Sequence, residues 1–90
     1  MRKALLDGAS LENVDQVYDA LAAQLGFPAH FGRNLDALRD VLTGDIAGPV
    51  EIVWRDGAKS HARMGKTFER LASVLVDAAA ERADLKLTFE

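Results

Sequence analysis

Two aspartates four residues apart are the clearest chemical feature of this sequence. Asp36 and Asp40 lie in a stretch with helical periodicity, so their carboxylates share one helical face with Cβ atoms roughly 5 to 6 Å apart, a mildly repulsive arrangement. Asp36 gains from the helix N-terminus after Asn34 and from Arg39 three residues on, whereas Asp40, near mid-helix, has no such compensation. The spacing leaves two interpretations open: a solvated acidic face, or a surface that binds the cations of a partner.

The segment before this pair could extend such a surface. His30, Phe31 and Arg33 stand in a stretch that contains Pro and Gly and has no apolar period, which predicts a loop. The alternative is that Phe31 fills the core while His30 and Arg33 are merely solvated.

Catalysis and metal binding find little support. His30 and His61 could in principle form the acid–base pair of a nuclease, but nothing in the sequence brings them together. A metal held by His30, Asp36 and Asp40 matches no established ligand spacing. We therefore expect no enzyme activity, no metal and no cofactor.

A basic segment offers a different interpretation. Lys59, Arg63, Lys66 and Arg70 would form a stripe on one continuous helix, but Gly65 predicts a break within it. The segment also lacks the interleaved aromatic residues on which single-stranded bases stack. Nucleic-acid binding therefore remains a minor alternative, which a gel-shift test at low salt would reveal.

The elements that position these residues follow from periodicity and turn signals. Short apolar runs predict strands at 3–8, 50–54 and 84–90. Spaced apolar residues predict helices at about 15–25, with Asp15 or Asn13 as N-cap, at 34–43, with Gly44 past its end, and at 66–82, after a short helix or irregular crossover at 55–65. The order β-α-α-β-α-α-β predicts an α/β fold: a small three-stranded parallel sheet with helices packed around it.

Composition sets the remaining bounds. Ninety residues, 49% hydrophobic and 28% charged, fit one globular domain at 1–90, and the absence of Cys excludes disulfides and thiol chemistry. No apolar run is long enough for a membrane span, and the run after Met1 is too short for a signal peptide, so we expect a cytoplasmic protein. The net charge of −3 is uneven, because segment 55–70 carries +3 and the remainder −6. The acidic remainder favours a basic partner.

The stretch around the two aspartates closely resembles the signature of a known family. Residues 30–44 read HFGRNLDALRDVLTG, which is similar to the corresponding stretch of barstar, the intracellular inhibitor of barnase-type ribonucleases. The resemblance extends from the 3–8 strand through Phe27, Pro28, Pro49 and 52–55 to 84–89, and so covers essentially the whole chain. It implies a three-stranded parallel sheet with helices packed around it, as the periodicity does.

The resemblance also implies a function. In this family the second helix and the preceding loop plug a ribonuclease active site, where acidic side chains occupy the positions of RNA phosphates. Asp36 and Asp40 match two of those acids, and Asp77 matches a third that is usually Glu. The implied role is that of an antitoxin or immunity protein forming a 1:1 complex with a basic bacterial ribonuclease, without catalysis or direct nucleic-acid binding. The predicted partner-binding residues are His30, Phe31, Gly32, Arg33, Asn34, Asp36, Arg39, Asp40, Thr43, Gly44 and Asp77.

Besides Asp77, four positions depart from the family pattern. His30 replaces a more usual Tyr, Arg33 an acid, Arg39 an aromatic ring and Asp45 another aromatic residue. A cation at position 39 fits a basic active site only if it turns away to pair with Asp36. These departures favour a cognate ribonuclease over barnase itself, because repulsive elements also set specificity. They leave open a barstar-like module that binds a partner other than a ribonuclease.

Overall fold

Three parallel strands form one sheet whose spatial order follows the chain. The computed structural model describes residues 2–90, so Met1 of the predicted domain lies outside the described residues. The strands are β1 (Arg2–Asp7), β2 (Val50–Arg55) and β3 (Leu85–Phe89), with β2 in the centre. Ala4 pairs with Ile52, and Ile52 pairs with Leu87. The predicted parallel sheet is confirmed, with the third strand one residue shorter at each end than expected.

The connections between the strands are helical. The helices are α1 (Val14–Leu25), α2 (Leu35–Asp40) with a π-helical turn after it (Val41–Asp45), α3 (Gly57–Met64) and α4 (Lys66–Glu81). Asn13, one of the two predicted caps, begins α1 by accepting a 3.0 Å hydrogen bond from the Gln16 amide. Gly26 ends α1 with φ 70°, a left-handed conformation that glycine adopts without a steric penalty. The predicted element order is confirmed.

The core lies between the helices and one face of the sheet. Alternate strand residues point to this face, and Trp54 of the central strand is 0% exposed. The helices contribute apolar positions spaced three and four apart, as the periodicity predicted. The core residues that the strands and helices contribute include Ala4, Leu6, Ile52, Trp54, Leu85, Val17, Leu21, Leu25, Leu38, Leu71, Leu75 and Ala78.

Trp54 and the middle of α3 are joined by a buried series of hydrogen bonds. The indole Nε1 of Trp54 donates a 2.9 Å hydrogen bond to Ser60 Oγ, which in turn donates to the carbonyl of Gly8 at 3.1 Å. Ser60 is fully buried, so these bonds satisfy groups that would otherwise be buried without partners. These hydrogen bonds fix α3 against the carboxyl ends of β1 and β2.

The basic segment is divided between two helices. Gly65, at φ 56° and ψ −125°, separates α3 from α4, so the predicted break is confirmed. The four cations therefore do not form one continuous helical stripe. Within residues 2–90, every helix is too short or too polar to cross a membrane.

Candidate functional site

The start of α2 is fixed by the side chain of Asn34. Its Oδ1 accepts a hydrogen bond from the Ala37 amide at 2.8 Å, and its Nδ2 donates to the Gly32 carbonyl at 3.3 Å. The cap satisfies an amide that has no partner within the helix and ties the loop to the first helical turn. The predicted cap is confirmed.

Asp36 and Asp40 project from the face of α2 that lies opposite the core. Leu38 and Val41 are buried on the inner side, whereas both aspartates are exposed. The ion pairs described across residues 2–90 include neither carboxylate. Two uncompensated negative charges therefore lie side by side on a fixed helical surface.

The end of this helical segment differs from the prediction. Instead of an α-helix through Thr43 with Gly44 beyond it, the α-helix ends at Asp40 and a π turn continues through Asp45. Gly44 is not among the glycines with positive φ, so it does not adopt the left-handed conformation that often terminates a helix. The helical path continues through Gly44 until the amide of Ile46 donates to the Val41 carbonyl at 3.3 Å.

Side chains secure the junction between α2 and the π turn. Thr43 Oγ1 donates to the Arg39 carbonyl at 2.7 Å, and Arg82 Nη1 donates to the Leu42 carbonyl at 2.8 Å. Arg82 is largely buried and also donates from Nε to Asp84 Oδ1 at 2.6 Å. Hydrogen bonding from Arg82 lowers the pKa of Asp84 below its usual range. The arginine thus joins the end of the acidic helix to the start of β3.

Arg39 turns toward α4 rather than toward Asp36, so the pairing with Asp36 that the sequence offered does not form. Its guanidinium bonds to Glu81 and lies 3.9 Å from the Asp77 carboxylate. The reason is tertiary packing, because α2 lies against α4 and Arg39 is on the adjoining flank. Asp77, a predicted contact residue, is therefore partly neutralised within the chain. Glu81 was missed, although its position four residues after Asp77 on one helical face could have revealed it.

The loop before α2 is anchored to α1 through Arg33. This residue adopts φ 53°, and its guanidinium donates to Asp19 Oδ1 at 2.9 Å and to the Asp15 carbonyl at 3.2 Å. It also lies 5.8 Å from the centre of the Tyr18 ring. The hydrogen bond to Asp19 is the main cause of a raised pKa for Arg33. Arg33 is therefore held by acids of its own chain and is not a freely solvated cation.

The loop aromatic serves the core. Phe31 is half-buried and meets Tyr18 and Phe27 edge-on, with ring centres 5.5 and 5.0 Å apart. His30, next to it, is exposed in a turn. Of the two interpretations open for Phe31, core packing is the one that the structure shows, and the side chain is only partly buried.

The two histidines lie in different environments. His61 belongs to α3, where its Nε2 is 3.2 Å from Glu69 Oε2 and its ring tilts over Phe68. His30 belongs to the loop before α2. Across residues 2–90, no group of three or more His, Asp or Glu residues is arranged to hold a metal ion.

Most of the predicted surface forms one region. The loop at 30–33, α2 and the π turn are consecutive, and Arg39 connects them to Asp77 on α4. This region contains the free carboxylates of Asp36 and Asp40. Beside them, Arg39 compensates the charges of Asp77 and Glu81 on α4. Such a surface can accept charge-assisted hydrogen bonds from guanidinium, ammonium or imidazolium groups.

Comparison with known proteins agrees with the fold and the motif. The family model Barstar (barnase inhibitor) matches residues 1–90. The chain is 37% identical over 84 residues to a Bacillus subtilis (strain 168) protein named "Putative ribonuclease inhibitor YrdF", covering 93% of this chain and 92% of the relative. This chain belongs to the Barstar (barnase inhibitor) family.

Proposed function

We propose that this protein inhibits a basic ribonuclease of the barnase type by placing α2 and the preceding loop in its active site. The observation that carries the proposal is the pair of exposed, uncompensated carboxylates, Asp36 and Asp40, on a helix secured at both ends. Family membership and the name of the Bacillus relative support it.

The mechanism is occupation of the phosphate sites of the enzyme. Asp40 accepts hydrogen bonds from an active-site Arg or His, and Asp36 engages a neighbouring cation. Charge-assisted bonds of this kind are roughly twice as strong as neutral ones and can be bidentate with Arg. Asp77 contributes less, because Arg39 already compensates its charge. RNA is excluded because its phosphates and the two carboxylates compete for the same cations.

The fixed geometry of the helix favours tight binding. Asn34 holds the first turn, and Arg82 holds the carbonyl of Leu42 near its end. Little further ordering of α2 is needed on docking, so less of the interaction energy is lost to entropy. One helix fills one cleft, which corresponds to a 1:1 complex in which this chain performs no chemistry. We place this complex in the cytoplasm, where a chain without Cys is at no disadvantage.

Affinity capture from a lysate of the source organism tests partner and site together. The baits are wild type, the double variant Asp36→Ala with Asp40→Ala, and Asp56→Asn. The last removes one exposed acid in the turn before α3 while keeping a residue type that tolerates its φ of 53°. A small basic ribonuclease should be retained by wild type and Asp56→Asn and lost from the double variant.

Two results would contradict the proposal. One is equal retention of the ribonuclease by a double variant that circular dichroism shows to be folded. The other is specific capture of a protein that is not a ribonuclease. Arg33 and Arg39 favoured a partner that is not a ribonuclease, because free cations would be repelled by a basic active site. Both arginines are held by acids of this chain, which removes that conflict of charge.

A further inference from the structure

One face of the sheet lies outside the core. Strand alternation directs every second side chain away from the helices, and the core cluster takes none of its members from this side. Leu5, on this side, is 44% exposed, whereas Val53 on the central strand is only 7% exposed. We call this side the outer face. Its residues are Lys3, Leu5, Asp7, Glu51, Val53, Arg55, Lys86 and Thr88, together with Glu90, which directly follows β3 and pairs with Arg55.

The register arranges these side chains in three rows across the strands. The first row is Lys3, Glu51 and Lys86, with charges +, − and +. The middle row is Leu5, Val53 and Thr88, which carries no charge. The third row begins with Asp7 and Arg55 and ends with Glu90, which directly follows β3 and lies 3.2 Å from the Arg55 guanidinium, giving −, + and −.

We propose that the outer face binds a second copy of this chain, through a two-fold axis that runs along the middle row. Such an axis reverses the strand direction and places each strand over the same strand of the other copy. Lys3 then faces Asp7 of the second copy, Glu51 faces Arg55 and Lys86 faces Glu90. Every charge meets its opposite, and the exposed Leu5 of the uncharged middle row meets Leu5 of the second copy.

The same pattern opposes the other two-fold arrangement. An axis parallel to the strands would place Lys3 over Lys86, Glu51 over Glu51 and Asp7 over Glu90. All of these contacts join like charges, which are unfavourable at an interface. The charge pattern therefore specifies one orientation, and that orientation is compatible with the aligned packing that twisted sheets prefer.

Edge-to-edge pairing through β1 is a less available route. Gln24 of α1 occupies the free edge at Leu5, accepting from its amide at 2.8 Å and donating to its carbonyl at 3.0 Å. A second copy therefore cannot extend the sheet at this point without displacing Gln24. Face-to-face contact requires no such displacement.

The size of the outer face sets the strength of the contact. Three strands spaced about 4.8 Å apart and five residues long cover roughly 14 by 17 Å, well below the roughly 800 Å² that each partner contributes to a standard interface. The dimer is therefore weak and forms at high protein concentration. It leaves Asp36 and Asp40 free, because α2 belongs to the helical layer on the opposite face of the sheet.

Sedimentation velocity with exchanged charges tests this proposal. Wild type is measured from about 10 μM to about 1 mM, together with Lys86→Glu, Glu90→Lys and an equimolar mixture of the two variants. In a dimer of either variant alone, position 86 of each copy faces a residue of the same charge at position 90 of the other copy. The dimer dissociation constant of each variant should therefore rise roughly tenfold. In the mixture, the carboxylate introduced at position 86 of one chain faces the ammonium group introduced at position 90 of the other, and association should return to the wild-type level.

The mixture separates interface effects from folding effects. A variant that merely unfolds cannot regain association by meeting the other variant, and loss of the exposed pair between Arg55 and Glu90 has little effect on stability. A monomeric wild type at the highest concentration would overturn the proposal, as would undiminished dimerisation of the single variants or a mixture that stays monomeric. None of these results bears on inhibition by α2.

Discussion

At the scale of single residues, Asp40 is the side chain on which we expect ribonuclease binding to depend most. Replacing it with Ala would leave cations of the enzyme buried without a partner, which is more costly than losing an exposed pair. We predict a loss of about 2 kcal/mol or more, the threshold by which interface hot spots are defined. Titration of ribonuclease inhibition measures it, and Asp56→Asn should inhibit like wild type. An unchanged inhibition constant for folded Asp40→Ala would remove this residue from the interface.

Arg39 shows what the sequence can and cannot specify about a site. The spacing of Asp36 and Asp40 predicted a shared exposed face, because helical geometry alone determines it. The direction of Arg39 was not predictable in the same way, since it depends on the packing of α2 against α4 and on Glu81, 42 residues away. Local spacing offered Asp36 as a partner, whereas the tertiary structure offered two acids on one neighbouring helix.

At the scale of elements, the two asparagine caps allow stability and binding to be separated. Asn34 and Asn13 each accept a hydrogen bond from an amide three residues on, at 2.8 and 3.0 Å. We predict that either change to Ala lowers the free energy of unfolding by about 0.5 to 2 kcal/mol. Only Asn34→Ala should also weaken ribonuclease inhibition, because only α2 carries the two free aspartates.

Urea unfolding followed by the fluorescence of Trp54, the only tryptophan in the sequence, measures the first effect, and an inhibition titration measures the second. If Asn13→Ala weakened inhibition as much as Asn34→Ala, the effect would reflect general destabilisation and not the position of α2.

The contact between Arg82 and Asp84 should make stability depend on pH. Arg82 lowers the pKa of Asp84 below its ordinary value of 3.8. The carboxylate therefore binds protons less readily in the folded chain, and its stabilising contribution is present above that ordinary value and lost as the pH falls through the lowered pKa. We predict that Asp84→Asn lowers the melting temperature at pH 7, and that the difference from wild type shrinks as the pH falls below the ordinary pKa of 3.8 and through the lowered pKa of Asp84.

Thermal melts of both proteins across this range test the prediction. A difference that stays constant with pH would show that the ionised form of Asp84 does not stabilise the fold.

Most element positions follow from local patterns, but the end of α2 does not. Apolar spacing and the caps Asn13, Asn34 and Gly26 are properties of adjacent residues, so the sequence predicts where these helices begin or end. The π turn depends instead on Arg82, which binds the Leu42 carbonyl from 40 residues away. A pattern of neighbouring residues does not encode such a contact, and glycine at position 44 wrongly suggested a stop.

At the scale of the whole molecule, the uneven charge should influence how fast a complex forms. Segment 55–70 carries +3 and the remainder −6, and four of the five cations of this segment lie on α3 and the first turns of α4. A basic ribonuclease is attracted to the acidic remainder and repelled by the basic part, which orients the encounter. The sequence was sufficient for this inference, because long-range fields depend on the approximate positions of charges and not on detailed contacts.

This attraction should appear in the association rate and in its dependence on salt. We predict that the association rate constant for the captured ribonuclease falls as ionic strength rises, because salt screens exposed charges beyond about 8 to 10 Å. Asp36→Asn should slow association at low salt and flatten this dependence, whereas Asp56→Asn, which changes the net charge equally, should have a smaller effect. Stopped-flow fluorescence at several salt concentrations measures the rates. Equal slowing by the two variants would mean that net charge alone accelerates binding, and a rate independent of salt would mean that the exposed carboxylates do not guide the encounter.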